Sequence, residues 1–224
     1  MKSLREIWEE QAQEWSELVR SDGDVPYGWN APAFLELLPP PGRLTVDVGC
    51  GEGRFTRELA AVGHVVVGVD ASTTLVRLAR DADPTGDYRL ADAATLPFDD
   101  ASADLVVAFM SLHDIDDCAT TVREAARVLR SQGRFCFAIV HPIASAGEFA
   151  QDESFVVTDS YLSRFRRRYP LGAAEIESLH RPLEDYFRAL EEAGLVVEAI
   201  RELPTRRRVP GRIPMFLHVR ALRR

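Results

Sequence analysis

The sequence predicts an α/β domain with a mostly parallel sheet and helices on both faces. Three observations carry this. Strand and helix patterns alternate from Leu44 onward. The apolar run Leu44-Thr45-Val46-Asp47-Val48 feeds a glycine-rich turn, Gly49-Cys50-Gly51-Glu52-Gly53, and then a helical pattern. A second apolar strand, Val65-Val66-Val67-Gly68-Val69, ends on Asp70, about 20 residues beyond the first glycine.

Leu4, Ile7, Trp8, Ala12, Trp15, Leu18 and Val19 recur at helical spacing, so residues 4–20 read as an amphipathic helix. Pro26, Tyr27, Gly28, Trp29 and Pro32 mark a loop. A short helix over 33–38 stops at Pro39-Pro40-Pro41-Gly42. Strands are expected over 44–48, 65–70, 87–90, 103–110 and 133–140, with helices over 53–62, 72–82 and 118–130. Residues 141–180 are polar, aromatic and charged, with no clear period. A helix over 182–193 ends at Gly194, a favoured residue just past a helix end, and strands follow over 195–202 and about 213–221. One domain is expected over 1–224: a helical lid (1–42), a cofactor-binding core (43–140), a substrate-side insert (141–181), and a C-terminal helix with strands (182–224).

The 224 residues are 46% apolar and 28% charged, ordinary globular usage. No apolar run approaches the ~20 residues of a membrane span. Met1-Lys2-Ser3-Leu4-Arg5-Glu6 carries no signal-peptide core. Cys50, Cys118 and Cys136 are too widely spaced for a metal knuckle or a disulfide framework. The expectation is a cytoplasmic, reduced protein without bound metal, acting on a small molecule as monomer or homodimer. A net charge of −8 argues against broad nucleic-acid binding. Two basic clusters qualify this: Arg164, Arg166, Arg167 and Arg168, then Arg206, Arg207 and Arg208. Each reads as a solvated face or as a clamp for an acidic substrate group.

In open α/β sheets ligands bind at the carboxyl ends of the strands. Gly49, Gly51, Gly53, Asp70, Asp92, Phe109, Met110, His113 and His141 all fall at such ends. The glycines let backbone approach a ligand, and Asp70 suits ribose hydroxyls. The spacing is Asp-x-Gly-x-Gly-x-Gly, with Asp47 two residues before the first glycine. A pyrophosphate would be repelled there and a sulfonium or ammonium attracted, which points to S-adenosylmethionine rather than a dinucleotide.

These residues resemble the class I, Rossmann-like S-adenosylmethionine-dependent methyltransferases, and within them the small-molecule branch of ubiquinone/menaquinone biosynthesis enzymes. Val46–Gly53 resembles the first motif, Gly68-Val69-Asp70-Ala71-Ser72 the acidic motif after it, and Asp92-Ala93-Ala94-Thr95-Leu96-Pro97-Phe98 the stretch after the third strand. Ala126-Arg127-Val128-Leu129-Arg130-Ser131-Gln132-Gly133 resembles the turn into the fifth strand, with Ser-Gln-Gly where the family usually has Pro-Gly-Gly. The resemblance implies a seven-stranded sheet, order 3-2-1-4-5-7-6, with an antiparallel last strand. It implies that Asp47 and the backbone from Gly49 through Cys50 and Gly51 to Gly53 hold the methionine portion. Asp70, with Ala71 beside it, takes the ribose. Asp92 and Ala93 take the adenine, and Phe109 and Met110 line the sulfonium region.

Methyl transfer needs alignment above all, plus a base where the nucleophile must lose a proton. The base candidates are His113, His180 and His141, in that order. His64 and His218 read as structural. Trp8, Trp15, Tyr27 and Trp29 before the core, and Phe149, Phe155, Tyr161, Phe165 and Tyr169 in the insert, suggest a lid over a planar or apolar substrate, and the substrate-binding candidates are Trp8, Trp15, Tyr27, Tyr161 and Arg181. Competing readings are an RNA or protein methyltransferase using the arginine clusters, and a non-catalytic cofactor-binding protein. A nicotinamide dehydrogenase is the weakest.

Overall fold

The computed structural model describes residues 2–21, 27–150, 154–171, 174–204 and 213–224. In chain order its elements are α1 (Leu4–Arg20), α2 (Tyr27–Leu35), β1 (Thr45–Val48), α3 (Arg54–Ala61), β2 (Val66–Asp70), α4 (Thr73–Ala82), β3 (Asp87–Leu90) and β4 (Ala103–Phe109). A single 3-10 turn (Leu112–Asp114) leads to α5 (Cys118–Val128), β5 (Leu129–Val140) and the one-turn α6 (Pro142–Ser145). Then come β6 (Gly147–Phe149), β7 (Phe155–Val157), β8 (Phe165–Leu171), β9 (Ala174–His180), α7 (Leu183–Glu192), β10 (Leu195–Pro204) and β11 (Pro214–Arg223).

The main sheet runs β3-β2-β1-β4-β5-β11-β10. The first five strands are parallel, and β11 lies antiparallel to both β5 and β10. This is the predicted order. Alternation along β4 explains the two layers. Val106 and Ala108 join Val46, Val48, Phe135 and Phe137 in the core under α5 and α7. Leu105, Val107 and Phe109 join Phe34, Phe55 and Leu59 on the other face. A strand with both faces buried reads as a continuous apolar run, as Leu105–Phe109 of β4 does.

Three regions differ from the sequence reading. Helix α2 starts at Tyr27, so the expected loop is helical although Pro32 lies inside it. Tertiary contact overrides the proline: Asn30, Ala31 and Phe34 are buried, and Asn30 Oδ1 lies 2.7 Å from His218 Nε2. Strand β5 starts at Leu129 rather than 133, with Gln132 at φ 64 in the turn that departs from the family pattern.

The insert is two antiparallel hairpins, β6–β7 and β8–β9, not an irregular segment. Strand β8 gives no apolar alternation because its arginines are bound in ion pairs. Arg166 and Arg168 both reach Glu177 on β9, at 2.8 and 3.0 Å, and Arg166 also reaches Asp116 at 3.1 Å. Arg164 pairs with Asp185 at 2.6 Å, and Arg167 donates to the Ser145 carbonyl at 2.8 Å. In the fold all four arginines are tied to neighbouring elements by these ion pairs and hydrogen bonds. Arg206, Arg207 and Arg208 lie outside the described residues, as does Pro26. Among the described residues no helix is long and apolar enough to cross a membrane, and no cluster suits a metal ion. All three cysteines are free and buried.

Candidate active site

The glycine turn is shaped by backbone that only glycine adopts easily. Gly49, Gly51 and Gly53 have φ of 72, 57 and 82°. A Cβ on Gly49 would lie 2.4 Å from the Ser111 Cβ, and one on Gly53 2.7 Å from the Tyr88 ring. A Cβ on Gly51 would meet nothing within 4 Å, so this backbone faces open space where a ligand can approach. Asp70 fixes the turn from the next strand. Its Oδ2 accepts from Gly51 N at 2.9 Å and its Oδ1 from Ser72 N at 2.8 Å. Burial pushes the Asp70 carboxyl above the usual range.

A cavity of about 780 Å³ opens at the carboxyl ends of these strands. Gly49, Cys50, Gly51, Asp70, Ala71, Asp92, Ala93, Phe109, Met110 and His113 all line it, as do Trp8, Trp15 and Tyr27. Ten cofactor- and base-candidate residues, scattered from position 49 to 113, thus converge on one volume. Asp47 and Gly53 are not on its wall. Asp47 is 1% exposed, and its Oδ2 accepts from the Thr56 hydroxyl at 2.7 Å. Burial raises its carboxyl to about 7.

One side of the cavity is aromatic. Phe109 stacks on Phe55 with centroids 4.3 Å apart and meets Tyr27 edge-on at 5.5 Å. Trp8 and Trp15 pack edge to face at 5.6 Å. Phe149, Phe155, Met215 and Phe216 complete the wall. Trp29 packs on Phe216 rather than lining the cavity.

The three histidines separate clearly. His113 lines the cavity, is 6% exposed, and its Nδ1 has no hydrogen-bond partner. Its Nε2 lies 3.8 Å from Asp114 Oδ2. His180 is stacked on Phe165 and has both ring nitrogens engaged, Nδ1 2.7 Å from Ser145 Oγ and Nε2 2.9 Å from the Tyr161 carbonyl. His141 caps α6, accepting from Ile143 N at 3.1 Å, with Nε2 3.1 Å from Glu202. Neither His180 nor His141 is brought to the cavity wall. Arg181 and Tyr161 are also off the main wall. Arg181 is 5% exposed and donates to the carbonyls of Leu112, Ile115 and Asp116, so it braces the loop that carries His113. The Tyr161 hydroxyl accepts from Leu183 N at 3.4 Å. The side chain of Tyr169 lies outside the described residues.

Sequence reading missed Glu9. It lies on the polar side of α1, where an acid normally means solvent. Here its Oε1 accepts from Thr74 Oγ1 at 2.7 Å and its Oε2 from Ser72 Oγ at 2.5 Å. Ser72 is the residue whose amide holds Asp70. Arg5, one turn earlier, lies 3.9 Å from Asp92. Helix α1 is thus tied to the two loops that carry Asp70 and Asp92. We expect Glu9→Ala to raise amide exchange of α1 about tenfold, roughly 1.4 kcal/mol for the lost charge-assisted bonds, while the β1–β4 core stays protected. Hydrogen exchange by mass spectrometry checks this. Unchanged exchange of α1 would mean that the latch holds nothing.

The glycine turn, the paired strand-end carboxylates and the seven-stranded order define the class I methyltransferase architecture. Residues 46–137 match the methyltransferase domain family. The chain superposes on an S-adenosylmethionine dependent methyltransferase from Mesorhizobium loti with a TM-score of 0.71 and 30% identity, over 86% of this chain and 96% of that one. The chain belongs to the S-adenosylmethionine-dependent methyltransferases. It is also 31% identical over 169 residues to the 27-O-demethylrifamycin SV methyltransferase of Amycolatopsis mediterranei, covering 72% of this chain and 57% of that protein. The chain spans about half the length of the curated relatives it matches. The cyclase SpnF shares the fold at a TM-score of 0.63 and 19% identity, covering 86% of this chain and 80% of that one.

Proposed function

We propose that this protein transfers the methyl group of S-adenosylmethionine to a small-molecule acceptor by in-line displacement. One observation carries the reading: a single cavity joins the Asp70 and Asp92 carboxylates to an aromatic chamber beside His113. In this reading Asp70 accepts from the ribose hydroxyls, Asp92 and the Ala93 amide meet the adenine, and the Gly49–Gly51 backbone follows the methionine portion. Bound there, the cofactor supplies an electrophilic methyl on a good leaving group. The protein's own task is positioning and exclusion of water, and well-oriented reactions gain about 7–11 kcal/mol in this way. Trp8, Trp15, Tyr27 and Phe109 hold the acceptor, and the lid (1–42) and insert (141–181) set its identity. The quinone-type intermediates implied by the sequence resemblance fit an apolar chamber of this kind. Incubation with methyl-labelled S-adenosylmethionine and a small-molecule extract tests the proposal. Label is expected in an extractable small product; label confined to RNA or protein would overturn it.

Asp47 enters this reading through charge rather than contact with the cavity. A buried carboxyl raised to about 7 is half protonated at neutral pH and ionises when a cation arrives nearby. Because the folded pKa is raised, the cofactor-free protein loses stability as pH rises from about 4 through 7. The cationic cofactor has the opposite preference. Its affinity should therefore rise severalfold between pH 6 and 8, with proton release measurable by calorimetry in buffers of different ionisation enthalpy. In Asp47→Asn the rise should be smaller, the remainder coming from Asp70, whose carboxyl burial also raises. Retention of the full dependence in that variant would contradict the assignment.

A second reading keeps the cofactor but not the methyl transfer. The shared fold of SpnF favours it, since that cyclase has the same architecture. It predicts tight cofactor binding and no labelled product.

A further inference from the structure

We propose that Asn30 recognises the methyl acceptor: its side-chain N–H₂ donates to a carbonyl oxygen on that molecule, and His218 is the positioning residue that holds the amide in this orientation. This rests on the methyl-transfer reading above and names a group that the acceptor carries.

The pair sits deep in the fold. His218 is fully buried on β11, opposite Ala138 of β5, and its ring meets Phe34 edge-on at 5.2 Å. Its Nε2 lies 2.7 Å from Asn30 Oδ1. Two arrangements fit an imidazole beside an amide. Either the ring donates from Nε2 to the amide oxygen, or a flipped amide donates N–H to a bare Nε2. Burial pushes the imidazole down to about 4, so near pH 7 the ring is neutral and carries one proton. Its Nδ1 is buried without a hydrogen-bond partner. A proton there would be an orphaned buried donor, which folded proteins tolerate less than an unmatched acceptor. The proton therefore sits on Nε2, which donates to Asn30 Oδ1. An amide flip would set two donors face to face, so the N–H₂ is locked on the side away from His218.

That side opens on the cavity. Asn30 is 2% exposed and lines the cavity, so the surface it keeps faces that volume. Strand order sets it apart from the cofactor. Phe109 of β4, Ala138 of β5 and His218 of β11 form one row across the sheet. Strand β11 stands three strands from β1, about 14 Å, on the side opposite β2, which carries Asp70. A cofactor laid over β2 and β1 leaves this end to the acceptor. The neighbouring strands give the cavity an apolar wall here, with Phe109, Val140 and Phe216. A polar group in such a wall fixes a ligand's orientation. Among neutral oxygens a carbonyl matches an N–H₂ best. It has two in-plane lone pairs and no proton that would need a second partner.

Three probes of one shape test this in the full chain saturated with S-adenosylhomocysteine. They are 2-acetylnaphthalene, 2-isopropenylnaphthalene, in which CH₂ replaces the carbonyl oxygen, and naphthalene-2-carboxylate. The ketone should bind about tenfold more tightly than the alkene by calorimetry. Its carbonyl stretch should move to lower frequency when bound, and Asn30→Leu should abolish both the preference and the shift. His218→Phe keeps a ring but removes the donor, so it should reduce the shift. His218→Gln keeps an N–H at similar reach and should restore it, a pattern that a purely structural histidine would not give. Nitrogen NMR of the wild type should place the His218 ring proton on Nε2. The Asn30 side-chain N–H₂ signals should move with the ketone and not with S-adenosylhomocysteine alone. These wild-type readouts stand even where a variant fails to fold. Equal binding of ketone and alkene, tighter binding of the carboxylate, no ketone binding, an unshifted stretch, a ring proton on Nδ1, or an amide signal moved by S-adenosylhomocysteine alone would each overturn the inference. Failure of S-adenosylhomocysteine itself to bind would instead sink the methyltransferase reading.

Discussion

Replacing Asp70 by alanine is expected to weaken S-adenosylmethionine binding by about 10²- to 10⁴-fold. The residue does two things. In the fold it holds the amides of Gly51 and Ser72, both of which line the cavity. In the proposed complex it also accepts from the two ribose hydroxyls. Hydrogen bonds to a charged group contribute about 1.5–3 kcal/mol each, and losing two gives the stated range. Asp70→Asn separates the roles, since it keeps size and some acceptor capacity but loses charge. The expected order of affinity is wild type, then Asn, then Ala. Calorimetric titration with S-adenosylhomocysteine reads this. Alanine binding within threefold of wild type would mean that the cofactor lies elsewhere in the cavity.

Gly49→Ala carries the largest expected cost in stability. Its φ of 72° costs an L-residue about 1–2 kcal/mol, and the new Cβ would collide with Ser111. Ser111 cannot simply swing away, because its hydroxyl donates to the Val48 carbonyl at 2.5 Å in a buried position. Overpacking of this kind costs about 1–3 kcal/mol. The sum, about 2–5 kcal/mol, corresponds to a melting temperature lower by roughly 10 °C in a chain of this size. The double variant Gly49→Ala/Ser111→Gly should recover the part due to collision and keep the part due to φ. Gly51→Ala provides the contrast. It has no steric neighbour, so about 1 kcal/mol of stability should be lost while cofactor affinity falls sharply. Thermal melts with and without S-adenosylhomocysteine check both. A Gly49→Ala protein as stable as wild type would contradict the strained-turn account.

The glycine-turn side of the cavity was legible in the sequence because the pattern that builds it is local. Glycines at fixed spacing and acids at strand ends, Asp70 and Asp92, are placed by the strands that carry them. His113 was legible for the same reason, lying just past β4. The aromatic side was less so. Met215, Phe216, Asn30 and Ser178 reach the cavity from β11, α2 and β9, far apart in the chain. Their pattern only says strand or helix. Strand β8 was hidden because ion pairs to Glu177, not burial, stabilise it, so the usual apolar period is missing. His180 and Arg181 close the insert, and their partners, Ser145 and the Ile115 and Asp116 carbonyls, are set by tertiary folding alone.

The central claim is that this cavity is built for S-adenosylmethionine. Calorimetric titration of the wild-type protein with S-adenosylmethionine, S-adenosylhomocysteine and NAD tests it directly. Micromolar binding of both sulfur nucleosides, with none for NAD, is the predicted result. NAD binding as tight as theirs, or no binding of either sulfur nucleoside, would contradict it.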